Sequence, residues 1–245
     1  MLSILEHFDE TAEIPNLKID IPAPPMLGSA EYDRDIKDVC YCIENPVNDE
    51  EFNLITHDDA SYGFLRYCSK NSIPVNIGEL KRHISNVDSV VSLLKKKYKR
   101  PRPKYQIEGM ISQEAFSKIP DMNSHGYPSG HAAIAYFISS VLSEIFPDHT
   151  LEFEKITGKI AQSRLDLGVH YSSDVSRGRY IGEQCSSMIH QIGEIARAKD
   201  IRKKVTKKFR KISDQFNEKY SGNLGRYVNE LASFIVRSNE IERYP

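Results

Sequence analysis

An all-α, single-domain helical bundle is the fold class this chain predicts, and three observations predict it. Apolar residues recur at three-and-four spacing over most of the length. Strand-type alternation is scarce. The 245 residues suffice for one domain whose core holds without disulfides. The longest uncharged apolar stretch, Ala132 to Ser143, falls well short of the roughly 20 residues that a membrane span requires.

The elements follow in chain order. Met1 to Pro15 is acidic, with Glu6, Asp9, Glu10 and Glu13, and shows no basic region followed by an apolar run. It predicts a cytoplasmic protein for the chain as it stands, and a periplasmic or secreted one for a chain whose leader has been removed. Ile21-Pro22-Ala23-Pro24-Pro25 and Gly28-Ser29 form a rigid extended segment, since each proline fixes its own backbone and turns the preceding residue away from helix. Helical periodicity then marks Asp33 to Ile43, Asp49 to Lys70, Ile77 to Lys97, Gln113 to Ile119, Gly130 to Phe146 and Glu152 to Gly168. From Asp174 to Tyr244 the pattern predicts two further helices that break at Ser221-Gly222-Asn223, with Gly178 and Gly182 as close-packing or kink positions. In domain terms, 1–20 reads as an N-terminal arm, 20–195 as the core and 196–245 as a helical extension.

Charge and cysteine content narrow the function classes. A formal net charge of -1 and a pI near 6.7 give no global reason to expect nucleic acid as a partner. The densest basic run, Arg197 to Lys211, carries Ile201, Val205, Phe209 and Ile212 at helical spacing. It reads as an amphipathic helix with a solvated face, the alternative being a surface for a partner or an anionic membrane. Cys40, Cys42, Cys68 and Cys185 lack zinc-ligand spacing, and Cys40 is too near Cys42 for an ordinary disulfide, so all four are expected to be plain thiols.

The chemistry concentrates between Lys95 and Asp174, in three short motifs: Lys95 with Arg102-Pro103, then Pro128-Ser129-Gly130-His131, then Ser163-Arg164 with His170 and Asp174. Phosphoryl transfer needs an in-line nucleophile, a proton for the leaving group and fixed positive charge around three equatorial oxygens. Lys95, Arg102 and Arg164 supply charge, and a guanidinium can grip two phosphate oxygens at once. Ser129 and Gly130 fall at the start of an apolar helix, whose free N–H groups attract anions, although an isolated Ser-Gly there is more often a cap and a turn. His131 is placed to protonate a leaving oxygen. His170 and Asp174, four apart, let a carboxylate orient an imidazole whose other nitrogen attacks phosphorus. Taken alone, a His-x3-Asp pair is more often structural.

In order and spacing, these motifs resemble the PAP2 acid phosphatase and vanadium haloperoxidase superfamily. The likeness is greatest to soluble bacterial class A acid phosphatases, with the Pro-rich segment and Tyr127 extending it over about residues 20–195. The resemblance implies the helical fold of that superfamily and a phosphomonoesterase with a phosphohistidine intermediate. His170 would be the nucleophile, Asp174 its orienting partner and His131 the general acid; Lys95, Arg102, Ser129, Gly130 and Arg164 would bind phosphate. It implies a small phosphate ester as substrate, a homodimer, no metal and no cofactor, with vanadate as an inhibitor or, in the minor reading, a haloperoxidase cofactor. Phosphotransfer to alcohols or nucleosides is the alternative activity, and an anion-binding interaction module the non-enzymatic one. His125, Tyr127 and Tyr171 are expected on the pocket wall, where Gly126 and Tyr171 depart from the serine and tryptophan usual in the family.

Overall fold

The computed structural model describes residues 19–47, 52 and 59–220, and of 192–203, 212, 213 and 215–220 the backbone only. It contains helices α1 (Ala30–Glu44), α2 (Tyr62–Lys70), α3 (Ile77–Tyr98), α4 (Gln113–Ser117), α5 (Gly130–Ile145), α6 (Thr150–Asp166) and α7 (Ser172–Tyr220). Two single 3-10 turns, Pro103–Tyr105 and Pro147–His149, join them. Among the described residues there is no strand, as the helical periodicity predicts. Two compact units divide the chain, the first holding the described residues up to Ile189 and the second those from His190.

In the first unit α5 is the central element. Ala132, Ala133, Ala135, Phe137, Ile138 and Leu142 are buried along it, and it packs against α3 and α6, while α1 packs on α6. An apolar cluster of Val39, Ile43, Ile107, Ile119 and Tyr171 joins α1 to the segments flanking α4 and α6. Gly178 and Gly182, on α7, let that helix lie directly on the backbone of α5: a Cβ at 178 would meet the Ser129 carbonyl, and one at 182 would stand 2.8 Å from Phe137 N. They are close-packing positions.

The extended N-terminal segment is held by two tyrosines. Tyr98 Oη donates to Ile21 O and Tyr127 Oη to Pro22 O at 2.6 Å, the two rings meeting edge to face at 5.3 Å. All four cysteines are free.

The expected helices before α7 start and end within three residues of those observed, except one. The run from Asp49 to Lys70 is interrupted, because the Asp59 carboxylate accepts from both Ser61 N and Ser61 Oγ, at 2.8 and 2.7 Å. That local bond gives the backbone an alternative to helix, so α2 begins only at Tyr62. Phe52 is helical and buried, and the neighbours that the expectation covers lie outside the described residues.

In the second unit the backbone is helical from His190 to Tyr220. Val205 and Phe209 are half-buried while Lys204, Lys207, Lys208, Arg210 and Lys211 are exposed, the two-faced pattern of an amphipathic helix. The break expected at Ser221-Gly222-Asn223 lies outside the described residues.

Candidate active site

Backbone chemistry places the arginines. Pro101 and Pro103 bias Arg100 and Arg102 towards extended conformation, and residues two apart on an extended chain project to one side. Arg102 is extended, with φ -71° and ψ 156°. Its Nε and Nη2 donate to Ser124 O and Oγ at 2.8 and 2.9 Å. Its Nη1 donates to Val169 O at 2.7 Å and stands 3.0 Å from His170 Nε2.

The turn after α6 delivers His170. Val169 N and His170 N both donate to Arg164 O at 3.2 Å, and Gly168 makes the turn at φ +63°, where a Cβ would also stand 2.8 Å from Ile43 Cδ1. His170 Nδ1 lies 3.3 Å from Asp174 Oδ2. A guanidinium has donors only, so Nε2 is the acceptor from Arg102 and the ring proton resides on Nδ1, facing the carboxylate. Burial first, then the Arg102 and Lys95 charges, hold His170 below the ordinary imidazole value despite Asp174. The imidazole is therefore neutral, with its Nε2 lone pair directed at a cation.

Asp174 is fully buried and saturated with donors. Tyr171 N donates to Oδ2 at 3.0 Å, and Arg100 Nη1 to Oδ1 at 2.6 Å. Burial favours its neutral acid, but the His170 hydrogen bond, Arg100 and the Tyr171 amide outweigh it and hold Asp174 below the usual carboxylate range.

The remaining catalytic and phosphate-binding candidates lie on α3, at the start of α5 and on α6. Ser129 caps α5, its Oγ accepting from Ala132 N at 3.4 Å and its N–H donating to Asp174 O at 2.9 Å. Gly130 opens α5, and His131 stands half-buried in its first turn. Lys95, in the last turn of α3, donates to His125 O at 2.9 Å. Burial, then the Arg102 charge, lowers it to about 8 against the opposing pull of Asp174 and Asp88. Arg164 is buried, with Nε and Nη2 on Ser163 Oγ at 3.1 and 2.9 Å.

Tyr127 and Tyr171, expected to line the pocket, are each only 1% exposed. Tyr127 points to the N-terminal segment, and Tyr171 packs in the α1 cluster with the Arg100 guanidinium 4.0 Å from its ring centre. His125 is exposed and meets Lys95 through its carbonyl. At Gly126 a Cβ would come within 3.2 Å of Asp174 Oδ2.

Arg100 and Asp35 were not among the sequence candidates, yet they touch the site. Arg100 Nη2 donates to Asp35 Oδ2 at 2.7 Å. Asp35 shares a stripe with Val39 and Ile43, the buried positions of α1. A carboxylate at that spacing, and a second arginine two before the motif's own, were the available signals.

The PAP2 superfamily profile matches residues 84–196. Residues 84–196 are thus similar to the PAP2 superfamily. The chain is similar to the non-specific acid phosphatase of Salmonella typhimurium, at 43% identity over 56 residues, 23% of this chain and 22% of that one. It is also similar to the non-specific acid phosphatase of Providencia stuartii, 32% identical over 110 residues, 43% and 44% of the two chains. The acid phosphatase of Zymomonas mobilis is 29% identical over 84 residues, 34% and 32% of the two chains. This chain thus spans less than half the length of the curated relatives it matches. Among solved structures, the transmembrane PAP2-type phosphatidylglycerolphosphate phosphatase of Bacillus subtilis superposes with TM-score 0.48 and 18% identity, covering 66% of this chain and 86% of that one. Among the described residues here, no helix is long and apolar enough to cross a membrane.

Proposed function

We propose that this chain hydrolyses small phosphate monoesters through a phosphohistidine on His170, without a metal ion. One observation carries the reading: a buried, neutral imidazole has its Nδ1 on Asp174 and its Nε2 on Arg102. An arriving phosphate takes the Arg102 hydrogen bond onto its own oxygen and thereby releases the Nε2 lone pair. Lys95, Arg102, Arg164 and the N–H groups at the head of α5 hold the equatorial oxygens.

Nε2 attacks phosphorus as the ester oxygen departs, and His131 gives that oxygen a proton. Asp174 stabilises the ring, which keeps its Nδ1 proton throughout. Water then attacks the phosphohistidine, His131 takes a proton from the water, and Nε2 leaves with its electron pair. An alcohol and inorganic phosphate are the products. The acid phosphatase relatives support the ester class.

The test is p-nitrophenyl phosphate hydrolysis with EDTA present, for the native protein and His170→Ala, with and without orthovanadate. Metal-independent release, inhibited by vanadate and lost in the variant, with acid-labile phosphate trapped on His170 after a rapid quench, is the expected result. Native-like release from His170→Ala would overturn it.

A further inference from the structure

Asp35 and Arg100 belong to no motif, and Asp35 lies outside the matched residues 84–196. Both are buried, at 3% and 5% exposure. Arg100 bridges two carboxylates, with Nη2 on Asp35 Oδ2 at 2.7 Å and Nη1 on Asp174 Oδ1 at 2.6 Å. Ser173 ties the bridge to the first turn of α7: its N–H donates to Asp35 Oδ1 at 3.0 Å and its Oγ to Asp35 Oδ2 at 2.5 Å. Arg100 Nη1 also reaches Ser173 Oγ at 2.7 Å, and the Tyr171 ring closes one face of the guanidinium.

Stability is a poor reason for such an arrangement. Taking two carboxylates and a guanidinium out of water costs several kcal/mol per ion in general, and apolar replacements of equal volume are often neutral or better. Geometry is a better one. Asp174 offers a long, 3.3 Å contact to His170, and one carboxylate torsion decides whether that oxygen meets Nδ1. Arg100 fixes the torsion by holding Oδ1 while Tyr171 N holds Oδ2, and Asp35 fixes Arg100.

We propose that Arg100 and Asp35 are positioning residues for the reaction: α1, through Asp35, sets the angle of Arg100, and Arg100 sets the angle at which Asp174 addresses His170. The proposal rests on the phosphohistidine reading for its kinetic consequence, but not for its structural one. A guanidinium is required, because an ammonium is a point charge that cannot fork between two carboxylates. In the phosphohistidine reading neither residue binds the phosphate, so anion affinity is set elsewhere, by Lys95, Arg102 and Arg164.

Arg100→Lys and Asp35→Asn test it. The second is isosteric and keeps an oxygen for Ser173 N. For each, kcat and KM are measured with p-nitrophenyl phosphate, with inhibition by inorganic phosphate and the 15N shifts of the His170 ring. Expected are a kcat loss of about ten- to a hundredfold, KM and the phosphate inhibition constant within threefold, and erosion of the Nδ1-protonated tautomer. Unchanged kcat and tautomer, or KM and phosphate inhibition worsening in step with kcat, would overturn the proposal. The ring shifts need no turnover, so an inactive native protein whose tautomer still moves in Asp35→Asn would sink the hydrolase reading alone.

Discussion

His170 and His83 are buried almost equally, at 3% and 5% exposure, and burial is the first cause that pushes each imidazole below its ordinary value. There the likeness ends. His83, inside α3, lies 6.4 Å from the Phe137 ring of α5 in the apolar seam between those helices, with Arg82 adding to the downward push. His170 has a carboxylate on one nitrogen and a guanidinium on the other. Burial favours the neutral imidazole in both places; at His170 the carboxylate and the guanidinium also fix its tautomer. The two sites separate what packing does from what the charged network does.

The largest effect should come from His170→Ala. On the proposed phosphohistidine reading, turnover of p-nitrophenyl phosphate falls by on the order of a thousandfold or more, since the variant lacks the group that reading makes the covalent nucleophile. Asp174 keeps Arg100 and Tyr171 N as partners, so the variant folds, and urea unfolding at pH 7.5 moves little. A variant retaining more than a tenth of native turnover would break the comparison, since the two histidines would then be alike.

His83→Leu makes the complementary change. The folded-state value of His83 is about 4, against ~6.5 for an unperturbed imidazole. Above pH 6.5 both states are neutral and His83 contributes no pH dependence. As pH falls from 6.5 to 4 the unfolded chain takes a proton that the folded one refuses, so stability declines, by roughly 2 to 3 kcal/mol over that window. Urea unfolding at pH 7.5 and 4.5 should show the Leu variant losing less across the interval, with phosphatase activity at pH 7 intact. An equal acid loss in both proteins would mean that the seam does not suppress protonation. His170 contributes an acid loss of the same sign, which the Leu variant retains.

The contrast also explains what could be read from sequence. Lys95, Arg102, Ser129, His131, Arg164, His170 and Asp174 could be picked out as candidates because phosphoryl chemistry calls for those residue types, at short spacings along the chain. Helices were legible from periodicity, and Gly178 and Gly182 as contact points. Asp35 was not, because its importance comes from a partner 65 positions away, and only its place on the Val39–Ile43 stripe hinted at it. The burial of Tyr127 and Tyr171 was hidden for a related reason: adjacency to a candidate residue in the chain says nothing about which side of the backbone a ring takes. The start of α2 was hidden in one aspartate's side-chain bond to its neighbour.

Lys95 sharpens the comparison at its smallest expected effect. Arg82 adds to the downward push on His83, whereas Lys95 contributes to holding His170 below its ordinary value and is itself lowered to about 8. In the anion-free protein Lys95 is charged below that value and loses its proton as pH rises through it. Inhibition by inorganic phosphate should therefore hold steady to about pH 8 and then weaken, by up to tenfold for each further unit, the limit set by one proton. Lys95→Arg keeps its charge throughout this range, so its phosphate inhibition should stay flat from pH 8 to 9 even where its absolute affinity differs. A native profile as flat as the variant's would show that Lys95 does not titrate there. The positive field at Nε2 would then rest on the arginines, and the separation between the two histidines on a guanidinium and a carboxylate alone.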